Sequence, residues 1–205
     1  MKYDVGFILD VSGSVCGCDY KTQCSSSMIS ECVDWNTEKN FTMKIAHMLN
    51  ITVNGNEGRG SVLTFSNDAN LEVTFSDNRT QEAFEEAVNN LTFTQEGTDI
   101  LRALDVALED MFNTKNGMRP RNAKQVAVLI TDGKDTKTTD NNKYVEMVAK
   151  FNKRDIMMIV IGIGNNISKD QLQILAPNGY FQIENFNNLT DKFAGQVVKD
   201  VCQGK

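Results

Sequence analysis

The sequence predicts an α/β fold: a doubly wound, mostly parallel six-stranded sheet with one antiparallel edge strand and helices on both faces, because apolar runs alternate with helical patterns along the chain. Two stretches carry the parallel part. KQVAVLIT (124–131) and DIMMIVIGIG (155–164) are continuous apolar runs bounded by polar or glycine-rich turns, the composition of central strands covered on both faces. The edge strand follows from SVLTF (61–65) and LEVTF (71–75), whose short polar break permits a hairpin but not a parallel crossover, which needs about a dozen residues.

The remaining elements follow in order. Residues 3–9 read as a first strand, and from about residue 38 to 49 Phe41, Ile45, Met48 and Leu49 share one helical face. His47 falls off that stripe and reads as a solvated helix residue. NGNEGRG (54–60) is a turn cluster ahead of the hairpin. Helices are expected over 80–91 and 98–111, the second with Ala103, Leu104, Ala107, Leu108 and Met111 on one face. Tyr144, Val145, Val148, Ala149 and Phe151 mark the helix between the central strands, and Met157 and Met158 read as core residues. Ser168 caps a helix through Leu172 and Leu175, residues 179–183 form a last short strand, and Leu189, Phe193, Val197 and Val201 define a terminal helix ending beside Cys202. With no repeat, linker or low-complexity tract, the 205 residues suit one domain over 1–205.

Composition narrows the function. The formal net charge is −6, from 27 acidic and 21 basic side chains with no long Lys/Arg run, which disfavours nucleic acid and anionic membrane surfaces as partners. A divalent cation fits that balance better. No stretch approaches the roughly 20 apolar residues of a membrane span, so membrane insertion of this domain is not expected. The N-terminus MKYDVGFILD lacks the regions of a signal peptide, and the chain is expected to be a fragment of a longer protein.

Cysteines indicate the compartment. Cys16, Cys18, Cys24 and Cys32 crowd a loop rich in Ser, Asp and Gly that has little to pack with, so disulfides substitute for a core there. Zinc is the competing reading, but the spacing departs from paired CxxC knuckles and His47 is the only histidine. With Cys202 the count is odd, so one cysteine is free or pairs outside the fragment, and the connectivity stays open. Acceptor triplets for N-glycosylation begin at Asn40, Asn50, Asn78, Asn90, Asn166 and Asn188, and weakly support an extracellular glycoprotein, secreted or part of a surface ectodomain.

In an open α/β sheet, ligands bind outside the carboxyl ends of the strands, near the point where strand order reverses. Three polar loops are expected to meet there: Asp10, Ser12 and Ser14 after the first strand, Gly97-Thr98-Asp99 opening a helix, and Thr131-Asp132-Gly133 after the strand VAVLI. Asp10, Ser12, Ser14, Thr98 and Asp132 supply two carboxylates and three hydroxyls, hard oxygen donors suited to Mg²⁺ or Mn²⁺ and poor for zinc or copper. Gly13 is expected to let the first loop turn tightly enough for both serines to face one point.

DVSGS (10–14), GTD (97–99) and TDG (131–133), in this order and on this alternating pattern, resemble the von Willebrand factor type A domain, including integrin I domains, with its metal-ion-dependent adhesion site. The resemblance implies that Ser12 and Ser14 coordinate the cation directly, Thr98 directly or through water, and that Asp10 and Asp132 mostly hold coordinated waters. Mg²⁺ is the implied ion, with Mn²⁺ or Ca²⁺ as alternatives. It further implies an adhesion or matrix-binding module whose partner is an extracellular protein presenting Glu or Asp, with collagen and other matrix or cell-surface proteins among the candidates. In integrin-like members, ligation is linked to a downward shift of the last helix. Two departures stand out. A Cys-rich insertion at about 16–35 delays the first helix and would sit beside the metal, and Cys202 resembles a closing cysteine whose partner must lie in the 16–32 loop or outside the fragment.

Competing readings lack parts. The two serines could merely cap a helix. An aspartyl-phosphate enzyme wants a second carboxylate two residues after the first, where Ser12 stands. A serine hydrolase lacks GxSxG and has only His47 as base, and no P-loop motif occurs. No catalytic residue is therefore assigned. The alternative function is a structural matrix-assembly domain whose metal site is vestigial and whose contacts lie elsewhere.

Overall fold

The computed structural model describes residues 2–18, 24–51, 58–77, 80–177 and 179–203. Strand β1 (Tyr3–Asp10) lies at the centre, and the next long element in sequence is helix α2 (Val33–Met48), reached through a 3-10 turn (Gly13–Cys16) and a short helix α1 (Ser26–Ser30). Next come β2 (Gly58–Phe65), β3 (Ala69–Val73), α3 (Gln81–Asn89), α4 (Ile100–Val106), β4 (Lys124–Thr131), α5 (Asn141–Lys153), β5 (Ile156–Ile163), α6 (Lys169–Leu175), β6 (Phe181–Ile183) and α7 (Asp191–Gln203). The sheet order is β3-β2-β1-β4-β5-β6, and every pairing is parallel except β2 with β3, the antiparallel edge anticipated from the short hairpin break.

Side chains alternate across β1, so the sheet is packed on both faces. Val5, Phe7 and Leu9 join Trp35, Phe41 and Ile45 of α2, Phe84 of α3 and Val197 and Val201 of α7 in one core. Ile8 joins Leu104 of α4, Tyr144 and Phe151 of α5 and Leu172 of α6 in the other. Burial on both faces explains why β1, β4 and β5 read as unbroken apolar runs.

Several sequence expectations shift. Helix α2 starts at Val33, well before residue 38, because Trp35 and Glu38 continue the buried stripe backwards from Phe41. The helix expected over 98–111 divides: after α4 the chain makes a π turn, Ala107–Met111, closed by Phe112 N–H donating to Ala107 O at 2.9 Å. Val145 is 54% exposed, and Met147 takes the core position on α5 instead. Met157 and Met158 are only half-buried, one packed on each core. Ser168 caps α6 as expected, its hydroxyl accepting from Gln171 N, and His47 is exposed beside Gln81 and Glu85.

The cysteine loop closes on itself. Cys16 bonds Cys32 and Cys18 bonds Cys24, while Cys202 is an exposed free thiol. Of the two partners left open for Cys202, the 16–32 loop is thereby excluded, since all four of its cysteines are already paired with one another. Cys16–Cys32 staples the 3-10 turn to the start of α2, where Val15, Cys32 and Trp35 are buried together. Among the glycosylation triplets, Asn90, Asn166 and Asn188 are exposed, Thr42 of the Asn40 triplet is fully buried, and Thr52 and Asn78 lie outside the described residues.

Candidate metal centre

The order of strands reverses between β1 and β4, so the loops after these two neighbours open side by side at the carboxyl end of the sheet. The 94–98 segment joins them through backbone bonds. Gln95 N–H donates to Val11 O at 2.9 Å and Gly13 N–H to Glu96 O at 3.0 Å, with Ser12 and Glu96 forming a parallel bridge. Thr136 N–H donates to Thr98 O at 2.8 Å, and its hydroxyl lies 3.1 Å from Thr98 N, from which it accepts. All three sequence-predicted loops therefore meet.

Within this frame the side chains form one hydrogen-bonded set. Asp10 is fully buried, and its Oδ1 accepts from Ser12 N at 2.9 Å while its Oδ2 accepts from the Thr131 hydroxyl at 2.6 Å. The Ser12 and Ser14 hydroxyl oxygens lie 3.1 Å apart, and Ser14 donates to Asp132 Oδ1 at 2.8 Å. Thr98 comes in over Gly133: a methyl group added there would sit 3.3 Å from Thr98 Oγ1 and 3.5 Å from Ser14 Oγ. Gly97 is needed for space as well, since a side chain would meet Asn67 Oδ1 at 2.7 Å and Thr136 Oγ1 at 2.8 Å. Gly13 acts through close approach, since a methyl group on it would lie 3.2 Å from Cys18 O, and not through a left-handed backbone, which the chain does not use there.

Burial sets the electrostatics. Desolvation raises the Asp10 carboxyl above its ordinary range, against the hydrogen bonds from Ser12 and Thr131 that favour the ionised form. Asp132 is pushed up to about 7, first by desolvation and then by the negative charge of Asp10, with the Ser14 bond opposing. Two neighbouring carboxylates in a dry site call for a positive partner, and no ion pair among the described residues involves either of them. The cleft above has a volume of about 320 Å³ and is lined by Ser12, Ser14, Thr98 and Gly133, with Cys18, Lys134 and Asn166 at its margin.

The donor set fits a hard divalent cation. The Ser12, Ser14 and Thr98 hydroxyls line the cleft over Gly133, with Asp132 hydrogen-bonded to Ser14 and Asp10 buried behind them, and all are oxygen donors of the kind Mg²⁺, Mn²⁺ and Ca²⁺ accept. The four loop cysteines are paired in disulfides and so are not available as thiolate ligands for zinc.

Sequence reasoning missed two contributors. Asp135 is buried and takes the backbone N–H of Ile100, Lys137 and Thr138 at 3.0, 2.7 and 2.9 Å, together with the Tyr144 hydroxyl at 2.6 Å. It thus fastens the start of α4, and with it Thr98, to the loop after β4. Thr136 makes the matching backbone contacts. It also missed the burial of Glu38 on α2, for which a carboxylate spaced three residues from both Trp35 and Phe41 was the available signal.

A family model, the von Willebrand factor type A domain, matches residues 4–195. The chain belongs to that family. It is 27% identical over 137 residues to mouse integrin alpha-M, covering 63% of this chain and 12% of that protein. Collagen alpha-1(XII) chain of Notophthalmus viridescens is 24% identical over 168 residues, covering 80% of this chain and 17% of the collagen. Human matrilin-1 is 24% identical over 146 residues, covering 69% and 28%. The chain thus spans less than a third of each of these relatives. Among solved structures, proximal thread matrix protein 1 from the mussel byssus superposes with a TM-score of 0.82 at 19% identity, covering 98% of this chain and 48% of that one. Another structure of the mussel protein, described as having a zinc-occupied MIDAS motif, gives a TM-score of 0.80 at 21% identity. These likenesses establish the shared fold.

Proposed function

We propose that the domain is an extracellular adhesion or matrix-binding module that holds Mg²⁺, or Mn²⁺ or Ca²⁺ in its place, through Ser12, Ser14, Thr98, Asp10 and Asp132, and through it binds a Glu or Asp of a protein partner. The observation that carries this reading is the meeting of Ser12, Ser14 and Thr98 in the cleft over Gly133, with Asp132 accepting from Ser14, at the reversal point of the sheet. Bound there, a divalent cation would supply a coordination position for an incoming carboxylate. The chain's own part is preorganisation. Neutral hydroxyls would be the direct donors, with Asp10 and Asp132 acting through waters, so the ion's immediate protein ligands would carry no charge and leave it attractive to an anion.

Charge at the margin agrees with an acidic partner. Lys134 is exposed at the cleft edge, beside Gly133. The disulfide-tied insertion contributes the buried Cys18 to the lining of the same cleft. Integrin, collagen and matrilin relatives support a matrix or cell-surface protein as that partner, a location outside the cell, and a role that is not enzymatic. His47, the only histidine, sits beside Glu85 and does not line the cleft that holds Ser12 and Ser14, so neither serine has a histidine base there.

The test is binding to a panel of matrix proteins, collagens included, in Mg²⁺ and in EDTA, by wild type and by Asp10→Ala. Binding that needs Mg²⁺ and is lost in the variant is expected. Undiminished binding in chelator would overturn the metal-bridged mechanism and favour contacts on other surfaces.

A further inference from the structure

Helix α2 carries a charged side chain into the core beneath the cleft, and none of the recurring motifs accounts for it. Glu38 is fully buried, and neither of its carboxylate oxygens has a hydrogen-bond partner among the described residues. Asp10 and Asp132 are the two charges that act on it, and the backbone amide of Asp10 exerts a weaker opposing pull without reaching hydrogen-bond geometry. Glu38 is therefore a buried, unpartnered carboxyl within electrostatic reach of the two carboxylates of the proposed cation site. Burial, followed by those two charges, holds its carboxyl well above the usual carboxylate range.

As a packing residue Glu38 is a poor choice. Its neighbours on the same stripe are Trp35, Phe41 and Ile45, all buried apolar side chains, and a Met would fill similar volume without an unsatisfied polar group. Nothing basic compensates it: among the described residues, no ion pair involves Glu38, Asp10 or Asp132. A positive charge near Asp10 and Asp132 would offset the cost of burying this third carboxyl beside them. Ionised carboxylates in a dry site are stabilised by a nearby dication, whose charge outweighs every other local term.

We propose that Glu38 is a positioning residue of the cation site, a third carboxylate that acts beneath the direct donors and strengthens their hold on a divalent cation. This rests on the reading of Asp10, Ser12, Ser14, Thr98 and Asp132 as that site. The three carboxylates are not grouped as direct metal ligands, so Glu38 works through its field on Asp10 and Asp132 and not by coordination. Outer partners of this kind carry a substantial share of metal affinity.

The experiment is calorimetric titration of Mg²⁺ and of Mn²⁺ into chelator-stripped wild type, Glu38→Gln, Glu38→Met and Asp132→Asn, with thermal melts of each in EDTA. Both Glu38 variants are expected to bind Mg²⁺ about ten- to a hundredfold more weakly, yet to melt in EDTA at the wild-type temperature or above it. That pairing separates a charge role from a structural one, since a residue needed only for packing would lower the EDTA melt. Glu38→Gln and Glu38→Met that bind Mg²⁺ within twofold of wild type, while Asp132→Asn loses it, would overturn the role of Glu38 and leave the cation site standing. Wild type that binds neither ion would overturn both.

Discussion

Thr131 donates a 2.6 Å hydrogen bond to the buried carboxylate of Asp10 across the two central strands, joining the end of β4 to the end of β1. This bond couples the two loops that carry Ser12, Ser14 and Asp132, and it satisfies the one oxygen of Asp10 that Ser12 N–H does not reach. Thr131→Val keeps the shape and β-branching while removing the donor. The buried oxygen is then unpaired, and stability is expected to fall by about 1–3 kcal/mol in urea unfolding. Mg²⁺ affinity should fall with it, because the Asp10 loop loses its tie to the Asp132 loop. Unchanged stability would mean that Asp10 is protonated and satisfied in another way.

The buried carboxylates give the metal-free domain a pH dependence of definite sign. Asp132 is raised to about 7, and Asp10 and Glu38 are raised as well. A raised carboxyl keeps its proton in the folded chain at a pH where the unfolded chain, with its ordinary value of about 4, has lost it. Its contribution is therefore fully present below about pH 4 and is lost as pH rises through the folded value. In EDTA, the melting temperature of wild type relative to Asp132→Asn should fall between about pH 4 and 7. Saturating Mg²⁺ should reverse the fall, since the cation stabilises the ionised form. A wild-type advantage that grows with pH in EDTA would contradict this.

At the opposite end of β1, Arg119 holds the fully buried Asp4. Its backbone N–H donates to Asp4 Oδ2 at 2.6 Å, its Nε donates to Oδ1 at 2.8 Å, and its Nη2 donates to Tyr3 O at 2.8 Å. Arg119→Met removes the counter-charge and is expected to cost about 3–5 kcal/mol by urea unfolding, whereas replacing both residues with apolar ones should cost less. Mg²⁺ affinity should not change in the double variant, because the pair lies a full strand away from Asp10. If the double variant is as damaged as the single, the loss lies in packing and not in the stranded charge.

Much of this is legible in the residues. DVSGS, GTD and TDG announce their loops because short-range chemistry, a strand followed by a hydroxyl-rich turn, is written locally. The same holds for β4 and β5, whose two-sided burial leaves an apolar run and nothing else. Contacts made at long range are not legible. Asp135 looks like an ordinary turn residue in TDGKD until α4 folds against it. Glu38 looks like the start of a helix because a carboxylate on an apolar stripe contradicts the pattern that defines the stripe. Disulfide pairing depends on where α2 begins, which the delayed helical pattern obscures.

The cysteine arrangement gives the last test. With Cys16–Cys32 and Cys18–Cys24 formed, only Cys202 remains free and exposed. Native, unreduced protein should therefore take up a single maleimide, at Cys202, read by intact mass and peptide mapping. The Cys16–Cys32 bond closes a loop of sequence separation 16, and removing it as the double serine variant should cost about 3 kcal/mol in urea unfolding, against about 2 kcal/mol for the shorter Cys18–Cys24 loop. The rank order has a functional counterpart. Cys16–Cys32 anchors the start of α2, the helix that carries Glu38, so its loss should weaken Mg²⁺ binding as well as stability. Loss of Cys18–Cys24 should spare Mg²⁺ affinity and alter partner binding instead, because Cys18 lies at the cleft edge and its side chain makes no hydrogen bond to Asp10, Ser12, Ser14, Thr98 or Asp132. Equal effects of the two variants on Mg²⁺ would mean that the insertion acts as one unit and does not divide into an anchor and a rim.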